Sequence, residues 1–400
     1  MVDAAMPLSG FRVLDFGHTV MGPTAGLILG DLGAEIIRIE PVSGDPTRRL
    51  KGFGTGYFPF FNRNKQSVAI NLKDPRGADI VRRLLATSDV LVENFGPGTM
   101  QRLGLDYAQI SDAFPHLVYL SLKGFLPGPY EARIALDEVV QMMSGLAYMT
   151  GPPGKPLRAG ASVVDIMGGA FGVIGVQAAL LERASTGRGQ LVTSALFESA
   201  MFLMGQHLAY AAQSHSPVPP MPARVSAWAV YDKFTTSDNE MVFLGITSDR
   251  HWQRFCDQFD RPDLGADDSL ATNNQRIDAR SRLIPVITGI IADLSLASLT
   301  DKALAASLPF AHIARPEQLF DDPHLNAGGY LLDTVMPDGT TAKLPAMPLS
   351  LGGRVAGLKN SPPQLGAHTE ICLAGLGFTG AEISQFDDDG VIFIAAEPDG

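Results

Sequence analysis

Over its first 200 residues the chain keeps switching between two hydrophobic periods, and this restricts the folds open to it more than any other feature. Phe11-Arg12-Val13-Leu14-Asp15-Phe16 reads as a buried strand, Thr24 to Leu32 as a helix ending at Gly33, and Glu35 to Glu40 as the next strand. Val68 to Leu72 is another strand, followed by a helix from Pro75 to Ala86 with proline in its first turn. Then come strand Val90 to Glu93, a short helix near Gly98 to Leu103, and strand Leu117 to Leu122. Short apolar strands alternating with helices predict an α/β domain around a mostly parallel sheet. The pattern changes at Ser214-His215-Ser216-Pro217-Val218-Pro219-Pro220-Met221-Pro222, a proline-rich extended segment. Beyond it, Trp228 to Thr235 and Met241 to Ile246 flank the turn at 237–240 as a hairpin. Amphipathic helices follow at His251–Phe259, Gln275–Leu294 and Leu296–Ser307, and a second hairpin surrounds Pro337-Asp338-Gly339. The expected organisation is a large α/β domain over 1–213, a linker at 214–224, a small α+β domain over 225–325, and a return to the large domain over 326–400.

The net charge of −11 leaves no basic stripe to neutralise phosphates and argues against a nucleic-acid binder. Cys256 and Cys372 lie far apart with no metal-ligand spacing, the pattern of reduced thiols in a cytoplasmic protein. The eight histidines are scattered, so no metal is expected. The start Met-Val-Asp-Ala-Ala-Met-Pro has neither the basic nor the apolar region of a secretory signal. The longest apolar run, Ile166 to Leu181, is shorter than the roughly 18–20 residues of a membrane span and reads as a buried helix.

Several well-known motifs are absent. Gly26, Gly30 and Gly33 do not have dinucleotide spacing, and there is no phosphate-binding GxxxxGK[ST] loop, GxSxG elbow or HExxH pair. What remains is a set of patches at strand ends, where α/β proteins bind ligands. These are Asp15-Phe16-Gly17-His18, Glu93-Asn94-Phe95-Gly96-Pro97-Gly98 with Arg102 one turn on, and Lys123-Gly124-Phe125. Loop N–H groups with Arg102 suit a phosphate; an ordinary turn with a surface arginine is the alternative. Asn62-Arg63-Asn64-Lys65-Gln66-Ser67 is a cationic loop that either clamps an anion or is solvated. Asp165 sits where an apolar strand-like run meets a glycine-studded helix. It reads either as a helix cap or as a carboxylate kept ionised at neutral pH by the helix start and able to act as a nucleophile.

Together these segments resemble the family III CoA-transferases (CaiB/BaiF family), the group that includes formyl-CoA:oxalate and carnitine CoA-transferases. The likeness is carried by Leu14-Asp15-Phe16 with Gly22-Pro23, Leu32-Gly33-Ala34-Glu35 through Glu40, and Asn62-Arg63-Asn64-Lys65. It continues through Glu93 to Gly98 with Arg102 and Gly104, Lys123-Gly124-Phe125, the acid motif around Asp165, and Thr186-Gly187-Arg188-Gly189-Gln190. The resemblance implies two intertwined subunits, each with a Rossmann-like large domain built from both chain ends plus a smaller domain. It assigns Asp165 as the catalytic aspartate. It also implies that Asn94, Phe95, Gly96, Arg102, Lys123 and Gly124 bind CoA, with His18, Thr19, Val20, Met21, Ile70 and Lys73 in segments lining the same site.

The implied activity moves CoA from an acyl-CoA to a free carboxylic acid. Asp165 forms an acyl anhydride and then an enzyme-bound thioester, with coenzyme A as substrate and no resident cofactor. On this reading Gly168 and Gly169 leave room for sulfur and acyl carbon, and backbone N–H groups there steady the oxyanion. The oxalate-specific enzymes carry a glycine run over the active site; the matching stretch here, residues 223–228, has none. The related racemases use a histidine in a Gly-His-Asp tripeptide, and here that tripeptide is Ala135-Leu136-Asp137, whose leucine moves no proton. An acyl-CoA racemase or isomerase and a non-catalytic CoA-binding protein are the alternatives. Arg133, Arg158 and Arg224 are candidates to grip a second carboxylate, as in succinyl-CoA or another dicarboxylic ester.

Overall fold

The structure, a computed structural model, describes residues 5–223 and 226–395. Its contacts divide the chain into two units. One takes in the chain up to Ala223 and again from His324; the other runs from Arg224 to Pro323.

The large unit is built on β1 (Arg12–Asp15), α1 (Met21–Asp31), β2 (Glu35–Glu40), β3 (Lys65–Ile70), α2 (Pro75–Ala86), β4 (Val90–Glu93), α3 (Thr99–Arg102), β5 (Val118–Lys123), α4 (Asp137–Met143), α5 (Val163–Thr186), β6 (Leu191–Ala195) and α6 (Leu196–Ser214). The sheet order is β3-β2-β1-β4-β5-β6, parallel throughout. The chain therefore reverses direction across the sheet between β1 and β4, which opens a crevice at their carboxyl ends. From the far end of the chain, Ile392 and Phe393 add an antiparallel edge strand, with Ile392 opposite Ile70.

Burial explains the sequence pattern of these strands. β4 is buried at every position, because helices cover both faces of the sheet and the strand reads as an unbroken apolar run. One face packs Val13, Val92 and Leu120 against α1 and α5 through Ala25, Leu29, Val173 and Val176. The other packs Leu14, Ile37 and Val68 against α2 and the C-terminal residues Leu373 and Ile383. α2 starts and ends where its sequence predicts: Pro75 holds the first helical position and Asp74 caps Arg76 N–H.

Three expectations change. The Asn62–Ser67 segment is not a solvated cationic loop. Arg63 is buried against Asp31 at 2.7 Å, and Lys65 opens β3 with its ammonium 2.9 Å from Asp15. The apolar run at 166–181 lies inside a longer helix, the 24-residue α5, which among the described residues is the one continuous helix long and apolar enough to cross a membrane. Its Val164, Gly168, Val173 and Val176 are buried within the unit. Gly168 and Gly169 sit in the second turn of the helix, where their lack of a Cβ lets α1 pack closely at Met21. A Cβ on Gly168 would lie 2.4 Å from the Met21 methyl, and one on Gly169 2.8 Å from the Met21 carbonyl oxygen.

α1 carries its own glycine stripe at Gly22, Gly26 and Gly30, one turn apart. These positions let the helix settle on polar groups of the sheet, because a Cβ on Gly26 would stand 2.4 Å from Asp15 Oδ2 and 2.8 Å from Lys65 Nζ.

The small unit has an antiparallel sheet of β7 (Val230–Thr235), β8 (Met241–Ile246) and β9 (Phe310–His312). Its core gathers Trp252, Phe255, Leu283 and Ile287. The helix expected over Gln275–Leu294 is broken at Ala279 into Asn273–Asp278 and Arg280–Ala292. Back in the large unit, Leu331–Val335 and Thr341–Pro345 form the second expected hairpin.

Substituting Gly26→Ala forces a methyl into the Asp15–Lys65 contact. A loss of roughly 2–4 kcal/mol is expected from overpacking and damage to a buried ion pair. Guanidinium unfolding would read this as a lower midpoint; an unchanged midpoint would contradict the packing described.

Candidate functional site

The loop leaving β1 is shaped by a buried ionic cluster beneath it. Asp15 accepts the Gly17 N–H at 2.7 Å and Lys65 Nζ at 2.9 Å, while Lys65 also donates to the Pro23 carbonyl at 3.0 Å. Arg38 is buried with them and donates to the Gly17 carbonyl at 2.7 Å, to Asp45, and lies 3.8 Å from Asp15. Burial pulls Lys65 down to about 8, with Asp15 working against the fall. Burial alone would raise Glu40, but hydrogen bonds from Arg48 and the charge of Arg38 bring it to about 2. So many charges in one dry place persist only because each is paired.

From the crevice side the same loop is clamped by Asn94. Its Oδ1 accepts the His18 N–H at 2.8 Å and its Nδ2 donates to the His18 carbonyl at 2.9 Å. Thr19 is held at φ +64°, a left-handed conformation that a threonine keeps only where its surroundings impose it. The His18 ring packs 5.2 Å from Phe95, and burial lowers its pKa from the ordinary 6.5.

The loop after β4 faces it. Glu93 accepts from Phe95 N–H, Ser121 Oγ and Lys123 Nζ at 2.9, 2.6 and 2.7 Å. Gly124 passes so close to the next segment that a Cβ there would be 2.3 Å from the Ala135 methyl.

Asp165 projects from the first turn of α5, but it is not the cap. The capping position is Ser162, whose side chain makes no capping bond. The N–H groups of Val164 and Asp165 instead donate to Asp137 Oδ2, at 2.9 and 3.1 Å, from the start of α4. Asp137 is held in turn by Gln141 Nε2 at 2.5 Å and by Arg158 at 3.4 Å. The Asp165 carboxylate itself makes no hydrogen bond with a described residue. Burial first, and the Asp137 charge second, push its pKa from 3.8 to about 7 against the pull of Arg158. The expectation of a carboxylate fully ionised at neutral pH is thereby corrected. The helix start that was to stabilise the anion has already spent its N–H groups on another anion.

A cavity of about 240 Å3 brings together Asp165 with His18, Thr19, Val20, Met21, Asn94, Phe95, Gly96, Lys123 and Gly124. Three sequence candidates stand outside it. Ile70 is fully buried in the sheet beside Ile392 and has no surface to offer a ligand. Lys73 is exposed beyond the end of β3. Arg102 is exposed on α3 with its guanidinium on Thr99 Oγ1. Two others are in place but committed: the Asn94 amide is used up on His18, and the Lys123 ammonium lies between Glu93 and the Phe95 carbonyl. Arg133 also lines the cavity, whereas Arg158 is engaged with Asp137, Glu138 and the carbonyls of Ala159 and Ala161. Arg224 lies outside the described residues. Sequence reasoning missed Asp137 and Glu93 as organisers; the one available signal was an acid immediately following each of two otherwise apolar runs.

Comparison with known proteins gives a consistent result. The family model described as CoA-transferase family III matches residues 8–369. The chain is 30% identical over 406 residues to succinyl-CoA:glutarate CoA-transferase of Mus musculus, covering 97% of this chain and 89% of that protein. It is 31% identical over 411 residues to formyl-CoA:oxalate CoA-transferase of Streptomyces coelicolor, covering 97% of this chain and all of that protein. Among solved structures, a CaiB/BaiF family protein from Brucella suis matches with a TM-score of 0.82 at 29% identity, over 93% of this chain and 100% of that one.

The raised carboxyl has a stability consequence. Its folded pKa of about 7 lies above the unfolded 3.8, so ionisation opposes folding. The penalty is absent below the unfolded value, grows as pH rises, and is complete above about 7. Asp165→Asn is therefore expected to raise the melting temperature at pH 8 and leave it little changed at pH 4. In 13C NMR of aspartate-labelled protein the Asp165 resonance should titrate near 7, and at lower pH in Asp137→Asn. A midpoint near 4 in the unaltered protein would contradict this electrostatic picture.

Proposed function

The chain belongs to CoA-transferase family III, and on that premise we propose that it moves CoA from an acyl-CoA to a free carboxylic acid with Asp165 as the covalent relay. The observation that carries this reading is the state of Asp165. It is a half-buried carboxylate facing a cavity, free of hydrogen bonds with described residues, and more basic than an ordinary aspartate. More basic carboxylates are better nucleophiles, and at neutral pH about half of the population is ionised.

The steps balance without a metal or ATP. Asp165 attacks the thioester carbonyl, forming an acyl-aspartyl anhydride and releasing CoA thiolate. The thiolate attacks the aspartyl carbonyl, giving an enzyme-bound thioester and releasing the donor acid. The acceptor carboxylate then attacks that thioester, forming a second anhydride and freeing the thiolate, which attacks the acceptor's acyl carbon. The products are the acceptor's CoA ester and a restored Asp165. The N-terminus of α1, where no side chain caps the first N–H groups, borders the cavity at Val20 and Met21 and offers partial positive charge to the developing oxyanion. His18 to Gly96 form the wall along which the pantetheine arm is expected to lie. Leu136 lines the cavity where the racemases carry histidine, so proton exchange at the α-carbon is not the favoured reading.

The subunits are expected to pair as a homodimer. Support comes from apolar side chains left on the surface of α5 and α6, including Leu181 at 77% and Phe202 at 71% exposure. Light scattering should give twice the chain mass of 42.6 kDa; a monomer would contradict the pairing.

The catalytic reading is tested by incubating the protein with acyl-CoA and quenching with hydroxylamine. A hydroxamate on the peptide containing Asp165 is expected. Asp165→Ala should form none and transfer CoA at least 1000-fold more slowly, on the order expected for loss of a covalent nucleophile. Transfer at the native rate by that variant would refute the proposal.

A further inference from the structure

The lining of the Asp165 cavity is electrostatically lopsided. Asp165, Asp137 and Glu131 are its acids; Lys123 and Arg133 are its permanent cations. The Lys123 charge is already matched by Glu93 at 2.7 Å, and burial favours the neutral form of His18. Arg133 is different. Among the described residues no carboxylate lies within ion-pair distance of it, and its guanidinium is exposed, stacked 4.9 Å from the centre of the Tyr130 ring. Tyr130 is itself wedged against Phe125 and Phe197 at 5.6 and 6.3 Å. Resting over the Tyr130 ring with no carboxylate partner among the described residues, the Arg133 guanidinium has N–H groups to offer for bidentate capture of a carboxylate. The cavity that holds Arg133 and the half-buried Asp165 is also lined by Ile134 and Leu136, side chains suited to methylenes.

Resting on the CoA-transfer reading above, we propose that Arg133 is the specificity-determining residue, and that it selects short dicarboxylic acyl groups by holding the carboxylate remote from the thioester. Without such a cation, a substrate bearing a second negative charge would enter a cavity whose other unneutralised groups are acids, and it would be repelled. A monocarboxylic acyl chain has nothing for Arg133 to hold.

The test uses the full-length protein carrying Asp165→Ala, so that esters bind without turning over. Calorimetry would measure affinities for succinyl-CoA, butanoyl-CoA and free CoA, with and without Arg133→Met. The expected result is a loss of about tenfold to a hundredfold for succinyl-CoA, the range of a hydrogen-bonded charge pair. Butanoyl-CoA and CoA should change by less than about threefold, and Arg133→Lys should recover part of the loss. Equal losses for all three ligands would place Arg133 on the CoA moiety and overturn the proposal. No loss for any of them would overturn it as well. Because the readout is binding, a failure of the Asp165 chemistry is detected separately, as absence of the hydroxamate in protein with Asp165 intact.

Discussion

The carboxylate of Asp15 is the tie on which the architecture of the site depends. It closes the carboxyl end of β1, accepts from the backbone of the loop that follows, and holds Lys65 from β3, which in turn grips the first turn of α1 through Pro23. One buried anion thus fixes two strands, a helix start and the loop bearing His18 and Thr19. Removing one partner from such a cluster strands a charge in a dry interior, at a cost of roughly 3–5 kcal/mol. Gly26 of α1 is the steric counterpart, since a Cβ there would stand 2.4 Å from Asp15 Oδ2 and 2.8 Å from Lys65 Nζ. The Asn94 clamp then adds a second constraint from β4, so the crevice wall is rigid before any substrate arrives.

Across the crevice the same principle operates with the opposite consequence for charge. Asp137 takes the free N–H groups at the start of α5 and so places Asp165 at a defined angle. A neutral cap would have left the helix dipole to lower the Asp165 pKa; an anionic cap, together with burial, raises it. The arrangement gives up part of the ionised population and gains basicity in what remains. On the proposed covalent route, a pKa near the working pH would serve both the attack on a thioester and the departure from an anhydride.

Much of this organisation was legible in the sequence, and the failures share a cause. Strand and helix positions in the large unit follow from periodicity, and α2 and β4 begin and end where the pattern places them. Clustering of the loops after β1, β4 and β5 follows from the parallel sheet alone. For Lys65 and Arg63 the sequence left an anion clamp and a solvated loop both open, because their carboxylate partners lie 50 and 32 residues away in sequence. Ile70 was misplaced because an edge strand from the other end of the chain covers it. Asp165 was expected to stay ionised on the N–H groups of a helix start, but those N–H groups are taken by Asp137. No local pattern announces that a carboxylate 28 residues upstream caps its helix. Charges paired over long range are invisible to reasoning that scores each segment by itself.

The central claim is that the oxygens of Asp165 pass through both acids during transfer. In the anhydride sequence, the acceptor's attacking oxygen remains on the aspartate when the product thioester leaves. Mass spectrometry of the Asp165 peptide, after turnover with an acceptor acid carrying 18O in its carboxylate, follows that oxygen directly. One heavy oxygen is expected in Asp165 after a single turnover with donor ester and acceptor acid both present, a second as turnover continues, and none when the donor is omitted. CoA transfer with an unlabelled Asp165 would contradict it.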